Sequence, residues 1–334
     1  MVSAIAGTKS GVFRLQDGIS TQIGLANQEI SSLHALRDSA GSEVFLAGSY
    51  GNGLFRSDDS GASWMPIDAG LTATAFRTIV PDPHTPGAIL CGAEPARLFR
   101  SHDDGLSWQE LDGIRALAGC DDWYLPYSPR AGALRNVFAP PDGNRLLAAV
   151  EVGGLIDSRD DGATWSYCPV PGGPDLHHIT GHPDDPRILV ASVGWAGLKG
   201  ETRPADAPPL GGVALSRDGG QSWERFHSDY TRATIIPPSR PNLLLAAPAK
   251  RVGAQGRIEV SANGGSSWQP AGQGIEQPMV DMVELFVAAP DDSIWAICSG
   301  GRLLRAEPDD WQWRSLLPDN AAVEVQSVAF LPEP

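Results

Sequence analysis

The sequence predicts an all-β protein, a β-propeller of seven four-stranded antiparallel blades that occupies all 334 residues, 1–334, as a single domain. Three observations predict this fold. An eight-residue motif recurs along the chain, strand-like segments recur in the same order around each copy, and the two ends of the chain together make one further set of strands. Seven units in this length have about 48 residues each, which is the size of a propeller blade.

The motif reads Ser-x-Asp/Asn-x-Gly-x-Ser/Thr-Trp. Full copies occur at 57–64, 101–108, 158–165, 216–223 and 261–268, and eroded copies occur at 15–22 and 306–313. An Asp or Asn in the third position can accept backbone N–H bonds inside a turn, and the glycine supplies a positive φ. We therefore expect each copy to form a hairpin turn on which its tryptophan packs.

Three short apolar segments precede each motif and one follows it. Before the second motif, for example, the chain reads FRTIVPDP at 76–83, AILCGA at 88–93 and RLFR at 97–100. Short runs rich in β-branched residues and bounded by Gly, Pro and Asp are typical of strands. We name the four strands of each blade A, B, C and D in chain order, so that the motif is the C–D turn.

The chain ends indicate how the ring closes. The sequence begins in a B-like strand and ends in an A-like strand, VEVQSVAFLP at 323–332. We expect residues 323–332 to complete the blade that residues 1–25 begin. This arrangement leaves no open sheet edge.

The repeated motif resembles the Asp box of BNR-repeat β-propellers, which include sialidases, xyloglucan-cleaving endoglucanases, the sortilin propeller and the photosystem II assembly propeller. The resemblance covers nearly the whole chain and implies the propeller fold. It does not choose an activity, because these families include both enzymes and binding modules. Sialidases have six blades and an Arg-Ile-Pro motif that is absent here, and the xyloglucan-cleaving enzymes need two tandem propellers.

The lengths of the connections indicate which face carries function. Long insertions occupy the D–A connection at 111–133 and the B–C connection at 193–211, whereas no motif turn is lengthened. Both kinds of connection lie on the face opposite the motif turns. Long loops in compact domains are more often functional than short ones, so we expect the site on that face.

Alignment of the A strands by the proline that closes them gives one polar residue per blade at the mouth of the central channel. These residues are His34, Arg77, Arg135, His177, Arg232, Glu284 and Gln326. Neighbouring strand ends and loops add four substrate-binding candidates, Glu94, Trp123, Asp175 and Trp195. Guanidinium groups suit carboxylate, sulfate or phosphate, so the ring predicts a basic pocket for a small anionic molecule or carbohydrate. In the alternative, the channel holds only water, and Glu94 and Glu151 neutralise two of the arginines.

Two functions remain open on the sequence. The first is a sialidase- or glycosidase-like hydrolase or lyase that acts on a small anionic or glycosidic substrate. In it Glu151 or His177 moves the proton, and Tyr230 assists as nucleophile or acid. The second is a non-catalytic propeller that binds a ligand or a partner protein.

Composition argues against several other classes. The net charge of −15 argues against nucleic-acid and acidic-membrane partners. Four separated cysteines without a CxxC spacing predict reduced thiols and a cytoplasmic protein. No HxH or HExxH spacing occurs, and the adjacent His177 and His178 of one strand should point to opposite faces, so we expect no metal. No cofactor is expected, and the oligomeric state is left open.

Overall fold

A computed structural model describes residues 3–16, 18–38, 41–82, 84–125, 128–141, 143–195, 209–318 and 323–331. These residues form seven antiparallel blades of four main strands, so the predicted seven-bladed propeller is confirmed. Strand order follows the chain in blades 2 to 7, whereas blade 1 takes its A strand from the end of the chain. The A strands of successive blades from 1 to 7 contact one another, and the A strand of blade 1 contacts the B strand of blade 7.

Each blade is built from strands A, B, C and D, with A nearest the axis. In that order, blade 1 contains Val325–Phe330, Ala4–Thr8, Gly11–Gln16 and Ile19–Gly24. Blade 2 contains Ile30–Arg37, Glu43–Ser49, Leu54–Ser57 and Met65–Ile67. Blade 3 contains Ala75–Pro81, Ile89–Glu94, Leu98–Ser101 and Gln109–Glu110. Blade 4 contains Ala133–Phe138, Leu146–Glu151, Gly154–Ser158 and Ser166–Cys168.

The remaining blades follow the same pattern. Blade 5 contains Leu176–Gly181, Leu189–Val193, Gly212–Ser216 and Glu224–Arg225. Blade 6 contains Tyr230–Ile235, Leu244–Arg251, Glu259–Ser261 and Gln269–Pro270, with Ala254–Gly256 as an extra short strand on its B strand. Blade 7 contains Val283–Ala288, Ile294–Cys298, Leu303–Ala306 and Arg314–Ser315.

The long D–A connection before blade 4 has secondary structure of its own. It contains the 3-10 helices Asp112–Ile114 and Cys120–Asp122 and a hairpin of Tyr124–Leu125 with Ser128–Ala131. No helix in the described ranges is long and apolar enough to cross a membrane. Most of the B–C insertion of blade 5 lies outside the described residues.

The last strand closes the ring as expected. Val325–Phe330 pairs antiparallel with Ala4–Thr8, with Ala4 opposite Phe330 and Ala6 opposite Val328. Val328 and Ala6 belong to an apolar cluster that includes Trp295 and Leu303 of blade 7. The strand therefore completes the sheet of blade 1 and also joins it to the last blade.

The repeated motif forms the same hydrogen-bonded turn in each full copy. In blade 3, the Ser101 hydroxyl donates to Asp103 Oδ1 at 2.8 Å and accepts the Gly105 N–H at 2.9 Å. The Asp103 carboxylate accepts the backbone N–H of Ser107 at 2.8 Å and its hydroxyl at 2.6 Å. The serine, aspartate and final hydroxyl residue of the motif are thus explained by the turn alone.

The motif tryptophan joins its turn to the preceding blade. The indole of Trp108 donates to the Gly105 carbonyl at 3.1 Å, and its backbone N–H bonds to the Ala69 carbonyl of the blade 2–3 connection at 3.0 Å. Its side chain packs in a cluster with Leu46 and Leu54 of blade 2. The tryptophan therefore contributes to contact between blades as well as to its own hairpin.

Removal of the closing strand should unfold the ring. We expect deletion of residues 323–334 to abolish cooperative unfolding, because the B strand of blade 1 would become an open edge and the cluster with blade 7 would lose one wall. Urea denaturation followed by tryptophan fluorescence measures this, and a chain that ends at Leu331 is the control. A truncated protein with the same unfolding midpoint as the control would contradict the closure.

The motif carboxylates should make stability depend on acid pH. Hydrogen bonds from Ser222 and Ser216 lower the pKa of Asp218 from 3.8 to about 2. Because the folded pKa lies below the unfolded value, this carboxylate stabilises the fold above about pH 4, and its contribution is lost as the pH falls towards 2.

Asparagine occupies the same position naturally in blade 6, where the Asn263 side chain accepts the N–H of Ser267 at 2.9 Å. We therefore expect Asp218→Asn to fold at pH 7 and to lose less stability than the unsubstituted protein between pH 4 and pH 2. Urea titrations across that range measure the difference. Asp184→Asn, at an exposed carboxylate outside the motif turns, is the control. If the free energy of unfolding of Asp218→Asn falls as steeply between pH 4 and pH 2 as that of the unsubstituted protein, the turn does not hold the carboxylate ionised.

Candidate functional site

Every A strand contains a β-bulge near its start, where its register against the B strand shifts. A bulge adds one residue to a strand and reorients that side chain. We call the residues at these shifts the bulge ring: Ser31, Arg77, Arg135, His177, Arg232, Glu284 and Gln326. All seven are polar and line one axial cavity of about 450 Å³.

The sequence alignment was wrong in blade 2. The register there places Ser31, between Ile30 and Ser32, at the position where His34 was expected. The A strand of blade 2 is eight residues long and ends at Arg37 without a closing proline, so alignment by that proline selected a residue three positions too late. His34 does not line the cavity, and burial lowers its pKa to about 4.

Each arginine of the bulge ring is bonded to a glutamate. The pairs and their shortest distances are Arg77–Glu94 at 2.6 Å, Arg135–Glu151 at 2.5 Å and Arg232–Glu284 at 2.5 Å. The fourth basic residue on the cavity wall, Lys9, is paired with Glu324. The expectation of a basic pocket is therefore wrong, because carboxylates neutralise the positive charges.

Around Arg77 the pair is further fixed by an aromatic ring. The guanidinium carbon lies 4.0 Å from the centre of the Tyr50 ring, and the Tyr50 hydroxyl lies 3.4 Å from Glu94 Oε1. The Glu94 side chain has no exposed surface, whereas 14% of the Arg77 side chain is accessible. Glu94 therefore lies behind the cavity wall, and only the arginine faces the cavity.

A second layer lies behind the ring between blades 5 and 6. The Tyr230 hydroxyl lies 3.2 Å from His177 Nε2 and accepts the Nε–H of Arg232 at 2.7 Å. Asp175 Oδ1 lies 3.3 Å from the same histidine nitrogen. Burial raises the pKa of Tyr230 well above its ordinary value, so the hydroxyl stays protonated.

Only one of the three residues that the sequence suggested as catalytic lines the cavity. His177 lines the cavity, whereas Glu151 and Tyr230 do not. The Glu151 side chain is 4% exposed and is held by Arg135. These two residues position members of the bulge ring and do not themselves face the cavity.

The two tryptophans also lie away from the cavity wall. Trp123 is only 3% exposed and belongs to the core of blade 4, where it meets the ring of Tyr167 edge to face. It cannot present a face to a ligand, which corrects the expectation for this residue. The indole of Trp195 donates to the Ser228 carbonyl at 3.1 Å and packs edge-on against Tyr230.

Three charged residues of the cavity wall were not among the sequence-based candidates. Glu29 lies immediately before the A strand of blade 2 and accepts a hydrogen bond of 2.7 Å from the Gln326 side chain. Lys9 and Glu324 lie in the loops of blade 1. These residues precede or follow strands and have no fixed spacing from the motif, so the repeat did not indicate them.

Gly194, at the end of the B strand of blade 5, allows the second layer to form. A Cβ at this position would lie 2.2 Å from Asp175 Oδ2, 2.6 Å from His177 Nε2 and 2.8 Å from the Tyr230 ring. Its backbone N–H bonds to the Asp175 carbonyl at 2.7 Å. Only glycine permits the three side chains to approach this strand so closely.

The fold and the cavity together define a seven-bladed β-propeller with a polar, charge-paired axial site. It is similar to the GH74 xyloglucanase from Xanthomonas campestris, with a TM-score of 0.67 and 19% identity over 98% of this chain and 52% of that chain. The GH74 enzyme of Niastella koreensis gives a TM-score of 0.64 and 15% identity over 98% and 51%. The present chain thus spans about half the length of these enzymes.

A peptide-bound neighbour is matched over almost its whole length. YCF48 bound to a D1 peptide gives a TM-score of 0.61 and 18% identity, over 92% of this chain and 90% of that chain. No family model matches the sequence, and no curated protein matches it. At these identities the neighbours share the propeller fold, and enzyme and binding functions are both represented among them.

A side chain at Gly194 should disrupt the layer behind the ring. We expect Gly194→Ala to lower the free energy of unfolding by about 1–3 kcal/mol, because the added methyl group overlaps two buried polar side chains. Gly300→Ala is the control, since the nearest atom to a Cβ there is 3.2 Å away. Urea denaturation measures both, and equal stability of the two variants would show that Asp175 and His177 do not meet at this glycine.

Proposed function

We propose that this propeller is a binding protein and that its axial cavity holds a small, neutral, hydroxylated molecule, of which carbohydrates are the main class. The observation that carries the proposal is that every arginine and lysine lining the cavity, among the described residues, is paired with a carboxylate. Guanidinium groups only donate hydrogen bonds and carboxylates only accept them. A hydroxyl group does both, so it can bridge a pair without breaking it.

An anionic ligand fits these pairs less well. Glu94, whose side chain is fully buried, already neutralises Arg77, so an anion would either meet a pair without net charge or have to displace Glu94. Breaking a buried ion pair by removing one partner typically costs about 3–5 kcal/mol. A neutral polyol avoids this cost, and it can also use the amide of Gln326 and the hydroxyl of Ser31.

The size and the apolar part of the wall support the same class of ligand. A cavity of about 450 Å³ falls within the usual range of small-molecule sites, about 300–1,000 Å³. Ile79, Phe286 and Val328, two positions beyond the bulge ring in their strands, also line it. Apolar side chains of this kind can contact the C–H groups of a sugar ring while the ring's hydroxyls meet the polar residues.

A glycoside hydrolase is the second candidate. Glu29, Glu284 and Glu324 are carboxylates on the cavity wall, and glycosidases generally use a pair of carboxyl groups. The GH74 neighbours supply an analogy at the level of fold. In this candidate Glu284 and His177, which line the cavity, are the groups that reach the substrate, and Glu151 and Tyr230 hold Arg135 and Arg232 in place.

Two substitutions separate the candidates. Gln326→Met keeps the length of the side chain and removes its amide hydrogen bonds, so we expect the affinity for a bound saccharide to fall by about tenfold. Glu284→Gln keeps a carbonyl oxygen beside Arg232 but cannot transfer a proton at neutral pH. If the protein only binds, we expect Glu284→Gln to lower the affinity for the saccharide by tenfold or less. Neither the variant nor the unsubstituted protein should then cleave the saccharide. The measurements are calorimetric titration and product analysis with a panel of neutral mono- and oligosaccharides.

The control is Glu224→Gln, at a glutamate paired with Arg217 in the exposed D strand of blade 5. Saccharide cleavage that falls by more than about a hundredfold in Glu284→Gln, with binding retained, would establish the hydrolase. Tight binding of carboxylates or sulfate, with no binding of neutral saccharides, would overturn the proposed ligand class.

A further inference from the structure

Positive and negative charges do not balance on the wall of the axial cavity. Three arginines of the wall are each paired with one glutamate, so these pairs carry no net charge. Apart from the histidines, the other charged residues of the wall, among those that the structure describes, are Lys9, Glu29 and Glu324. One lysine therefore lies beside two glutamates, which leaves one negative charge in excess.

Among the glutamates of the described wall, Glu29 is the one without a cationic partner. The Lys9 ammonium bonds to the Glu324 carboxylate, and this bond is the main cause of the raised pKa of Lys9. The charge of Glu29 also raises that pKa, so the two groups lie near each other, but they form no ion pair. Within the described ranges, the side chain of Glu29 is bonded only to the amide of Gln326. A positive charge on a bound ligand would supply the missing partner.

The wall around Glu29 offers hydrogen-bond acceptors. Gln326 Nε2 donates to Glu29 Oε1 at 2.7 Å. Because a carboxylate only accepts, the amide turns its NH2 group towards Glu29, and its carbonyl oxygen remains an acceptor. The Ser31 hydroxyl donates to the Phe76 carbonyl, so its oxygen is also left to accept. A primary ammonium group has three N–H donors and no acceptor, which matches this set better than a hydroxyl group does.

The position of Glu29 keeps a ligand cation away from two of the arginines. Glu29 directly precedes the A strand of blade 2, in the connection from blade 1. In a ring of seven blades this connection is opposite blade 5, whose neighbours carry Arg135 and Arg232. An ammonium group at Glu29 therefore avoids repulsion from these guanidinium groups, while hydroxyls at the other end of the ligand can reach them. Phe286 and Val328 of the wall can contact the ring between the two ends.

We infer that, among hydroxylated ligands, the cavity prefers those that carry one primary amine, and that Glu29 selects the amine. Amino sugars then bind more tightly than the matching neutral sugars, because a hydrogen bond between charged groups is stronger than one from a hydroxyl. This inference rests on the proposed function, since it narrows the class of saccharide that the same cavity holds. A neutral sugar can donate a hydroxyl to Glu29 but leaves the excess charge uncompensated. Acetylation of the amine has the same consequence, because it removes the positive charge.

The test is calorimetric titration of the full-length protein at about pH 6, where a sugar amine is protonated. The probes are three disaccharides with the same linkage, built from glucosamine, N-acetylglucosamine and glucose. We expect the glucosamine disaccharide to bind about tenfold to a hundredfold more tightly than the other two. Glu29→Gln retains an acceptor for the Gln326 amide and removes the charge, so it should reduce this preference to about threefold or less.

The matched control is Glu276→Gln. Glu276 is exposed in the D–A connection that leads to blade 7 and lies outside the cavity wall. Since the chain has a net charge of −15, the protein as a whole attracts cations, and this control removes one charge without altering the cavity. It should leave the preference for glucosamine unchanged. Lys9→Gln should increase the preference, because a second glutamate of the wall then lacks its cation.

Equal affinity for the three disaccharides would overturn the inference and leave the proposed function standing. A preference for glucosamine that persists in Glu29→Gln, or that falls as much in Glu276→Gln, would show that Glu29 does not select the amine. If Glu29→Gln does not fold, Lys9→Gln decides the question, and an unchanged or smaller preference in that variant rejects the role of Glu29. Binding of none of the three disaccharides, nor of any neutral saccharide in the panel, would overturn the proposed function and this inference with it.

Discussion

Antiparallel pairing between Val325–Phe330 and Ala4–Thr8 is the interaction on which the rest of the molecule depends. A blade buries its faces only against its two neighbours, so an open ring would leave two sheets with uncovered faces. Closure also fixes how far each A strand lies from the axis. The seven bulges can line one cavity only because the ring that carries them is complete.

The motif made the fold predictable from the sequence, because its chemistry is local. Asp103 and Ser107 are four residues apart, and their bonds need nothing outside the turn. The position of the ring residues was less predictable, since a bulge is a property of two paired strands and leaves no mark at a fixed distance from a proline. Alignment by the proline selected the bulge residue at Arg77 and Arg135. In blade 2, whose A strand ends without a proline, it selected His34 instead of the bulge residue Ser31.

Charge pairing was the part of the site that the sequence could not settle. Glu94 and Glu151 end the B strands beside Arg77 and Arg135, and this adjacency allowed neutralisation as an alternative. Whether a guanidinium turns towards its own blade or towards the axis depends on side-chain geometry. Glu284 shows the limit most clearly, because it belongs to the ring itself and pairs with Arg232 of the neighbouring blade.

The arrangement of these pairs affects how such a site could diverge in evolution. One glutamate neutralises the charge of each arginine at the axis. A change of one such glutamate therefore changes the net charge of the cavity by one unit. Replacement of Glu284, whose side chain is 27% exposed, by glutamine would leave the Arg232 cation facing the axis at a smaller cost in stability than at the buried Glu94 or Glu151. Related propellers could therefore acquire selectivity for acidic ligands through one codon change, without any alteration of the scaffold.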